Sequence, residues 1–296
     1  MPDVPPPAAA PRRLGDVLAA GAAHLERRGV EDARLVFEWL AAGCLDCPRL
    51  ELHRQYGREL GDGELEALRD GLRRLARGEP VQYVLGWWEF RGHRLKVDGR
   101  ALIPRPETER LVQLALDEPA VWTSPHPMVA DAGTGSGCIA VSLALERPAA
   151  QIVASDPSRE ALDLARANAD ALGVAPRIRF VCGPGCGGIE TASCDAVLAN
   201  LPYIPTSALA SLPRHVREYE PREALDGGPD GLAVIRDAAR DAVMALRPGG
   251  RIFLEIGADQ ATAVRALLTG LGFADVREEL DLAGLPRFVC GRFSGP

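Results

Sequence analysis

Residues 128–137 read M-V-A-D-A-G-T-G-S-G, and C-I-A-V-S-L-A-L follows without a break. A short apolar run, a glycine-rich turn and a longer apolar run predict strand, loop and helix. Glycine has no Cβ, so such a loop lets backbone pass close to a ligand. A dinucleotide fold is the competing reading, and its fingerprint is G-x-G-x-x-G. Here the glycines fall at 133, 135 and 137, so the third comes one residue early. That spacing serves a pyrophosphate at a helix N-terminus poorly.

The same alternation continues outward. A strand over 152–154 ends in Ser155-Asp156-Pro157, and a helix follows over 161–172. Strands are predicted at 178–181 and 195–199, and a long loop covers 204–230. A helix over 232–246 leads through R-P-G-G (247–250) into a strand at 252–256. A helix over 261–271 and strands near Val276 and at 288–290 close the pattern. Alternating strands and helices are the mark of a parallel α/β sheet. Asp156 ends the strand after the glycine loop, where a carboxylate can accept both hydroxyls of a ribose.

The strand at 195–199 belongs to S-C-D-A-V-L-A-N-L-P-Y (193–203) and stops at a polar residue and a proline turn. Residues just past the carboxyl end of such a strand line the ligand crevice of open α/β sheets. Asn200 offers a carboxamide, Pro202 stiffens the turn and holds Leu201 extended, and Tyr203 adds a flat ring. A carboxamide beside an aromatic wall suits a planar NH2-bearing group, either an amide or an aminopurine. Taken alone, N-L-P-Y is equally a turn that ends a strand.

Ahead of the sheet, Leu14, Val17, Leu18 and Leu25 recur at helical spacing, and so do Leu35, Val36, Trp39 and Leu40. Pro48 can open a helix, and Leu65, Leu68, Leu72 and Leu75 mark another after Asp62. These predict a helical substrate-recognition domain over 12–78, behind a disordered Pro/Ala lead at 1–11. Trp88, Phe90, Leu95 and Val97 flank Arg91-Gly92-His93 as a β-hairpin, within a linker expected over 79–103. Pro104 and Pro106 then predict an extended loop. Thr108 or a neighbour starts a helix, and the catalytic domain is expected over 104–296.

Composition narrows the class. The 296 residues carry 47% hydrophobic and 25% charged side chains, ordinary for a soluble globular chain. No apolar run is long enough to cross a bilayer, and no signal peptide is read, so a cytoplasmic protein is expected. A net charge of −7 disfavours a partner held mainly through phosphates, so no direct nucleic-acid partner is expected. Seven cysteines, an odd number, argue for reduced thiols. The Cys44/Cys47 and Cys182/Cys186 spacings match no zinc site, and no metal is expected.

Several stretches together resemble the HemK/PrmC family of protein-glutamine N-methyltransferases. They are G-E-P-V-Q-Y-V-L-G (78–86), I-P-R-P-E-T-E (103–109), D-A-G-T-G-S-G (131–137), E-P-R-E-A-L-D-G-G-P-D-G-L (220–232), R-P-G-G (247–250), L-E-I-G (254–257) and D-L-A-G (281–284). The resemblance implies a class I S-adenosylmethionine-dependent methyltransferase, a Rossmann-like α/β sheet with a small helical N-terminal domain and a hairpin linker. It implies methylation of the Gly-Gly-Gln glutamine of class I peptide chain release factors; a monomer is expected. Gly133, Thr134, Gly135, Ser136 and Gly137 would hold the methionine part of S-adenosylmethionine and Asp156 its ribose, with Asn200 beside it. Asn200, Leu201, Pro202 and Tyr203 would form the catalytic and substrate-binding N-P-P-Y positions.

Two departures stand out. Leu201 replaces the first proline, giving a form, N-L-P-Y, also found in ribosomal-RNA adenine dimethyltransferases. C-G-P-G-C-G-G (182–188) lacks the acidic or aromatic residue expected near an adenine. Adenine-N6 methylation of RNA or DNA, glutamine methylation of a ribosomal protein, and a non-catalytic cofactor-binding regulator therefore remain alternatives. Glu107 and Glu109 are either at the site mouth or helix-start acids. Glu255 either supports the site or is a solvated acid.

Overall fold

The computed structural model describes residues 12–295; the lead at 1–11 lies outside them. The chain divides after Gly86 into two compact units. The first contains α1 (Leu14–Arg27), α2 (Ala33–Cys44), a 3₁₀ segment (Arg49–Gln55) behind Pro48, α3 (Asp62–Leu75) and α4 (Val81–Leu85). Leu14, Leu18 and Leu25 of α1 and Leu65, Leu68 and Leu75 of α3 are buried as their spacing predicts. The inner face of α2 differs from the predicted one. Phe37, Leu40 and Ala41 are buried, whereas Leu35 is 41% exposed. The Phe37 ring packs closely on Gly21 of α1, and seating this buried side chain turns Leu35 outward. Helix α4 has no periodicity to announce it; Pro80 precedes it, and Gly86, at φ 76°, ends it.

The second unit opens with a hairpin, β1 (Trp87–Phe90) and β2 (His93–Lys96). Phe90 pairs with His93, so the turn is Arg91-Gly92, both at positive φ, which matches the right-handed strand twist. Of the expected linker, the stretch through Gly86 thus lies in the first unit and the hairpin in the second. Helix α5 (Pro106–Leu116) follows, with Pro106 as its first residue and not part of an extended loop. Proline suits that position because its missing N–H would have no intrahelical partner there.

The main sheet contains β3 (Met128–Ala132), β4 (Gln151–Asp156), β5 (Ile178–Cys182), β6 (Cys194–Asn200), β7 (Leu246–Glu255), β8 (Phe273–Leu280) and β9 (Pro286–Phe293). Their spatial order is β5-β4-β3-β6-β7-β9-β8; the first five are parallel and β9 runs antiparallel to both its neighbours. Helices α6 (Cys138–Glu146), α7 (Arg159–Ala171), α9 (Ala233–Ala245) and α10 (Ala261–Gly270) cover the sheet. Alternate residues sort to opposite faces, as strand geometry requires. Ala196, Leu198 and Phe253 pack with α5 and α6, while Val197, Ala199, Ile252 and Leu254 pack with α9 and α10.

Two predicted boundaries move. R-P-G-G does not precede β7 but lies inside it, because Leu246 already pairs with Cys194 and the ladder resumes at Ala196–Arg251 after a bulge. The long loop after β6 carries helix α8 (Arg214–Tyr219) and two 3₁₀ segments (Thr206–Ser211 and Arg222–Ala224). A proline stands before each of the three, supplying starts that helical periodicity does not reveal in pieces this short.

Candidate active site

The chain leaves β3 toward β4 and β5 on one side, then returns to place β6 on the other side of β3. That reversal opens a crevice beyond the carboxyl ends of β3 and β6. Ala132 is level with Ala199, so the glycine loop and N-L-P-Y leave the sheet side by side. A Cβ on Gly133 would stand 2.8 Å from Leu201 Cδ2, which shows how closely the buried Leu201 side chain lies on the loop.

The loop is held from beneath. Gly133 and Thr134 both donate backbone N–H to the Ser155 carbonyl at 2.9 Å, and Gly135 N–H donates to Asp156 Oδ2 at 2.9 Å. Asp156 Oδ1 accepts from Ser158 N–H at 2.8 Å. Glycine loop and strand-end acid are therefore joined directly. The Thr134 and Ser136 side chains are buried, and the Thr134 hydroxyl donates to Asp131 Oδ2 at 2.6 Å. These two residues present backbone, rather than side chain, to the crevice edge.

Asp131 escaped the sequence reading as a site residue. It is fully buried, Oδ2 also accepts from Ala140 N–H at 3.0 Å, and Oδ1 has no partner. Burial pushes its carboxyl up to about 7. An acid closing an apolar strand just ahead of a glycine loop was the available signal. Asn168 of α7 was also missed. Its Nδ2 donates to the Lys96 carbonyl at 3.0 Å and the Ser136 carbonyl at 2.8 Å, while Oδ1 accepts from Lys96 N–H at 2.7 Å. One buried carboxamide thus ties the hairpin to the glycine loop. Nothing in the sequence marks it, since its partners are all backbone.

At the end of β6, Asn200 Nδ2 donates to Thr108 Oγ1 at 2.9 Å, and Thr108 Oγ1 donates to Glu255 Oε2 at 2.8 Å. Thr108 and Glu255 are both 1% exposed, so Glu255 is a buried supporting acid and not a solvated one. Burial raises its carboxyl to about 7, against the lowering effect of the Thr108 bond. Asn200 Oδ1 accepts nothing among the described residues and is not sealed from solvent. Glu109 is drawn elsewhere: its Oε1 accepts from Arg91 N–H at 3.0 Å, fixing the hairpin turn to α5. Glu107 stays near Glu255 and Tyr203, whose carboxyl and phenol it raises electrostatically.

The turn beyond Asn200 is packed by the A-L-D-G-G-P-D-G-L stretch. A Cβ on Gly231 would stand 2.4 Å from the Tyr203 carbonyl oxygen, and one on Gly227 would stand 2.8 Å from that of Pro202. Gln260 Nε2 donates to the Tyr203 carbonyl at 2.9 Å. The Tyr203 ring packs on the α9 and α10 side of the core, and burial raises its phenol, so it stays protonated. Among the described residues no three His, Cys, Asp or Glu side chains gather as a metal site, and no helix is long and apolar enough to cross a membrane.

Comparison with known proteins gives the family of the chain. A family model described as the PrmC N-terminal domain matches residues 16–86, and one described as the Methyltransferase small domain matches 114–211. A release factor glutamine methyltransferase of Geobacter sulfurreducens is 41% identical over 270 residues, 91% of this chain and 93% of its own. The chain belongs to the release factor glutamine methyltransferase family. A second member, from Chlorobaculum tepidum, is 41% identical over 282 residues, covering 92% of this chain and 94% of its own. A solved S-adenosylmethionine-dependent O-methyltransferase of Thermotoga maritima aligns at 16% identity with a TM-score of 0.48, over 67% of this chain and 68% of that one. Leu201, where the sequence reading expected a proline, has its side chain packed against Gly133.

Proposed function

We propose that this chain transfers a methyl group from S-adenosylmethionine to the side-chain nitrogen of the Gly-Gly-Gln glutamine in class I peptide chain release factors. The reading rests on one observation above others: the Asn200 carboxamide is anchored through its nitrogen to Thr108, which leaves its oxygen open at the crevice. An amide nitrogen is a weak nucleophile because its lone pair is shared with the carbonyl. Two acceptors aimed at its two N–H bonds orient it and stabilise the positive charge that grows during attack. Asn200 Oδ1 is one acceptor and the Leu201 backbone carbonyl the other; leucine supplies that carbonyl as well as proline does. Pro202 and Tyr203 wall the slot.

The residues present also fit the cofactor. Gly133–Gly137 offers bare backbone to the methionine part, and the unpartnered Asp131 Oδ1 is an acceptor suited to an ammonium group. Asp156 keeps lone pairs for ribose hydroxyls beside its two backbone bonds. S-adenosylmethionine supplies an electrophilic methyl on a sulfonium sulfur, and no strong general base is needed. The setting is cytoplasmic translation, and the enzyme acts as a monomer.

The test is to incubate the protein with labelled S-adenosylmethionine and a purified release factor, then map the label by mass spectrometry. Label on the Gly-Gly-Gln glutamine, reduced in Asn200→Ala, is the expected result. Label on ribosomal RNA instead would make the adenine reading of N-L-P-Y the true one.

A further inference from the structure

We propose that Glu255, acting through Thr108, decides which end of the Asn200 carboxamide faces the substrate, so that methyl transfer is switched by the charge on Glu255. The inference rests on the function proposed above and adds two positioning residues to it.

A threonine hydroxyl has one hydrogen to donate and lone pairs to accept with. When Glu255 is a carboxylate it can only accept, so the Thr108 hydrogen goes to Oε2 over 2.8 Å. Thr108 Oγ1 then has only lone pairs left for Asn200, and the group that meets it at 2.9 Å must be the NH2. Asn200 Oδ1 consequently faces the crevice as the acceptor that a glutamine N–H requires.

A neutral Glu255 reverses the chain. Its carboxyl hydrogen can be donated to Thr108 Oγ1, freeing the hydroxyl hydrogen for Asn200. A half-turn of the carboxamide then gives Oδ1 to Thr108 and presents NH2 to the crevice. Two NH2 groups facing each other cannot bond, and the substrate amide loses its orienting acceptor. Thr108 and Glu255 are both 1% exposed, so solvent does not short-circuit the proton exchange between them.

The surroundings of Glu255 make the switch relevant near neutrality, because burial lifts its carboxyl to about 7. Glu107 on α5 contributes to that rise, while Arg287 on β9 and Arg105 ahead of α5 oppose it. The Tyr203 phenol, beyond β6, and the Cys138 thiol on α6 also feel the Glu255 charge; burial raises both, so both stay neutral in this range. Of Glu255, Tyr203 and Cys138, Glu255 is therefore the group whose charge changes there.

Two readouts test the switch. In the free protein, the side-chain amide signals of Asn200, assigned by their loss in Asn200→Ala, are followed by nitrogen–proton NMR from pH 5 to 9. A single titration, lost in Glu255→Gln and in Thr108→Val, is expected; signals that do not titrate, or still titrate in Glu255→Gln, overturn the proposal. In parallel, kcat and KM for release-factor methylation are measured across the same range. Wild type and Thr108→Ser should lose kcat together toward acid, measured at saturating cofactor. Thr108→Val should lie roughly ten- to a hundred-fold lower in kcat without that limb. Equal kcat in Thr108→Val and wild type, or an equal loss in Thr108→Ser and Thr108→Val, overturns the relay. If wild type methylates no glutamine, the functional reading falls alone, since the NMR titration still decides the switch.

Discussion

Arg105 and Glu220, 115 residues apart, form an ion pair in which the Glu220 side chain is completely buried. The second Glu220 oxygen accepts from Ile103 N–H at 3.1 Å. P-R-P-E-T-E and E-P-R-E-A-L-D-G-G, distant in sequence, are thus locked together, and the first carries Thr108 while the second packs on N-L-P-Y. Removing one partner of a buried pair leaves an uncompensated charge. Arg105→Met should cost about 3 kcal/mol, seen as a Tm lowered by roughly 6–12 °C in calorimetry. An unchanged Tm would mean that Glu220 finds other compensation.

Gly231→Ala should damage the turn that carries Pro202 and Tyr203. Gly231 sits at φ 74°, and its Cβ would stand 2.4 Å from the Tyr203 carbonyl and 2.7 Å from Gln260 Nε2. Both the strained backbone and the clash push Tyr203 away. Turnover should fall by roughly tenfold or more, because small misplacements near a reacting group are costly. Steady-state kinetics at saturating cofactor would check it.

Leu201→Ala separates the two jobs of that residue. The buried side chain packs on Gly133, so its loss should cost about 2–5 kcal/mol of stability in denaturant titration. The backbone carbonyl remains, so kcat at a temperature where the variant is folded should stay within about threefold. A hundred-fold loss of kcat would place the catalytic contribution in the side chain.

Asp131 gives stability a pH dependence of defined sign. Its folded carboxyl is raised from 3.8 to about 7 by burial, so the folded state holds the proton more tightly. The contribution is complete below pH 3.8 and is lost as pH climbs toward 7 and beyond. Asp131→Asn removes that slope. The stability of the variant relative to wild type should therefore rise by roughly 3–4 kcal/mol between pH 4 and 8. Parallel curves would show that Asp131 titrates normally in the folded protein.

Much of this site was legible in advance because its signals are local. A glycine loop between a strand and a helix, an acid ending the next strand, and N-L-P-Y ending a third each announce themselves in a few residues. Sheet topology then does the rest, since β3 and β6 flank the reversal point of any such order. Thr108, Asn168 and Gln260 were not legible as supports, because each acts on a partner dozens of residues away. Glu255 and Thr108 sit in quoted motifs, yet only the fold shows that they touch. The α2 face was misjudged for a related reason: leucine and tryptophan spacing predicts a stripe, but the fit of Phe37 against Gly21 chooses it.

The three hydrogen bonds of Asn168 carry a consequence for how this chain can be divided or inherited. A fragment starting at Pro104 would keep every parallel strand and every glycine of the loop, yet leave that carboxamide facing empty space where Lys96 had been. Its two bonds to the Lys96 backbone would vanish, leaving only the one to the Ser136 carbonyl. The small antiparallel ribbon is, in this sense, part of the sheet unit, and a seam before Trp87 should be tolerated far better than one after Val97.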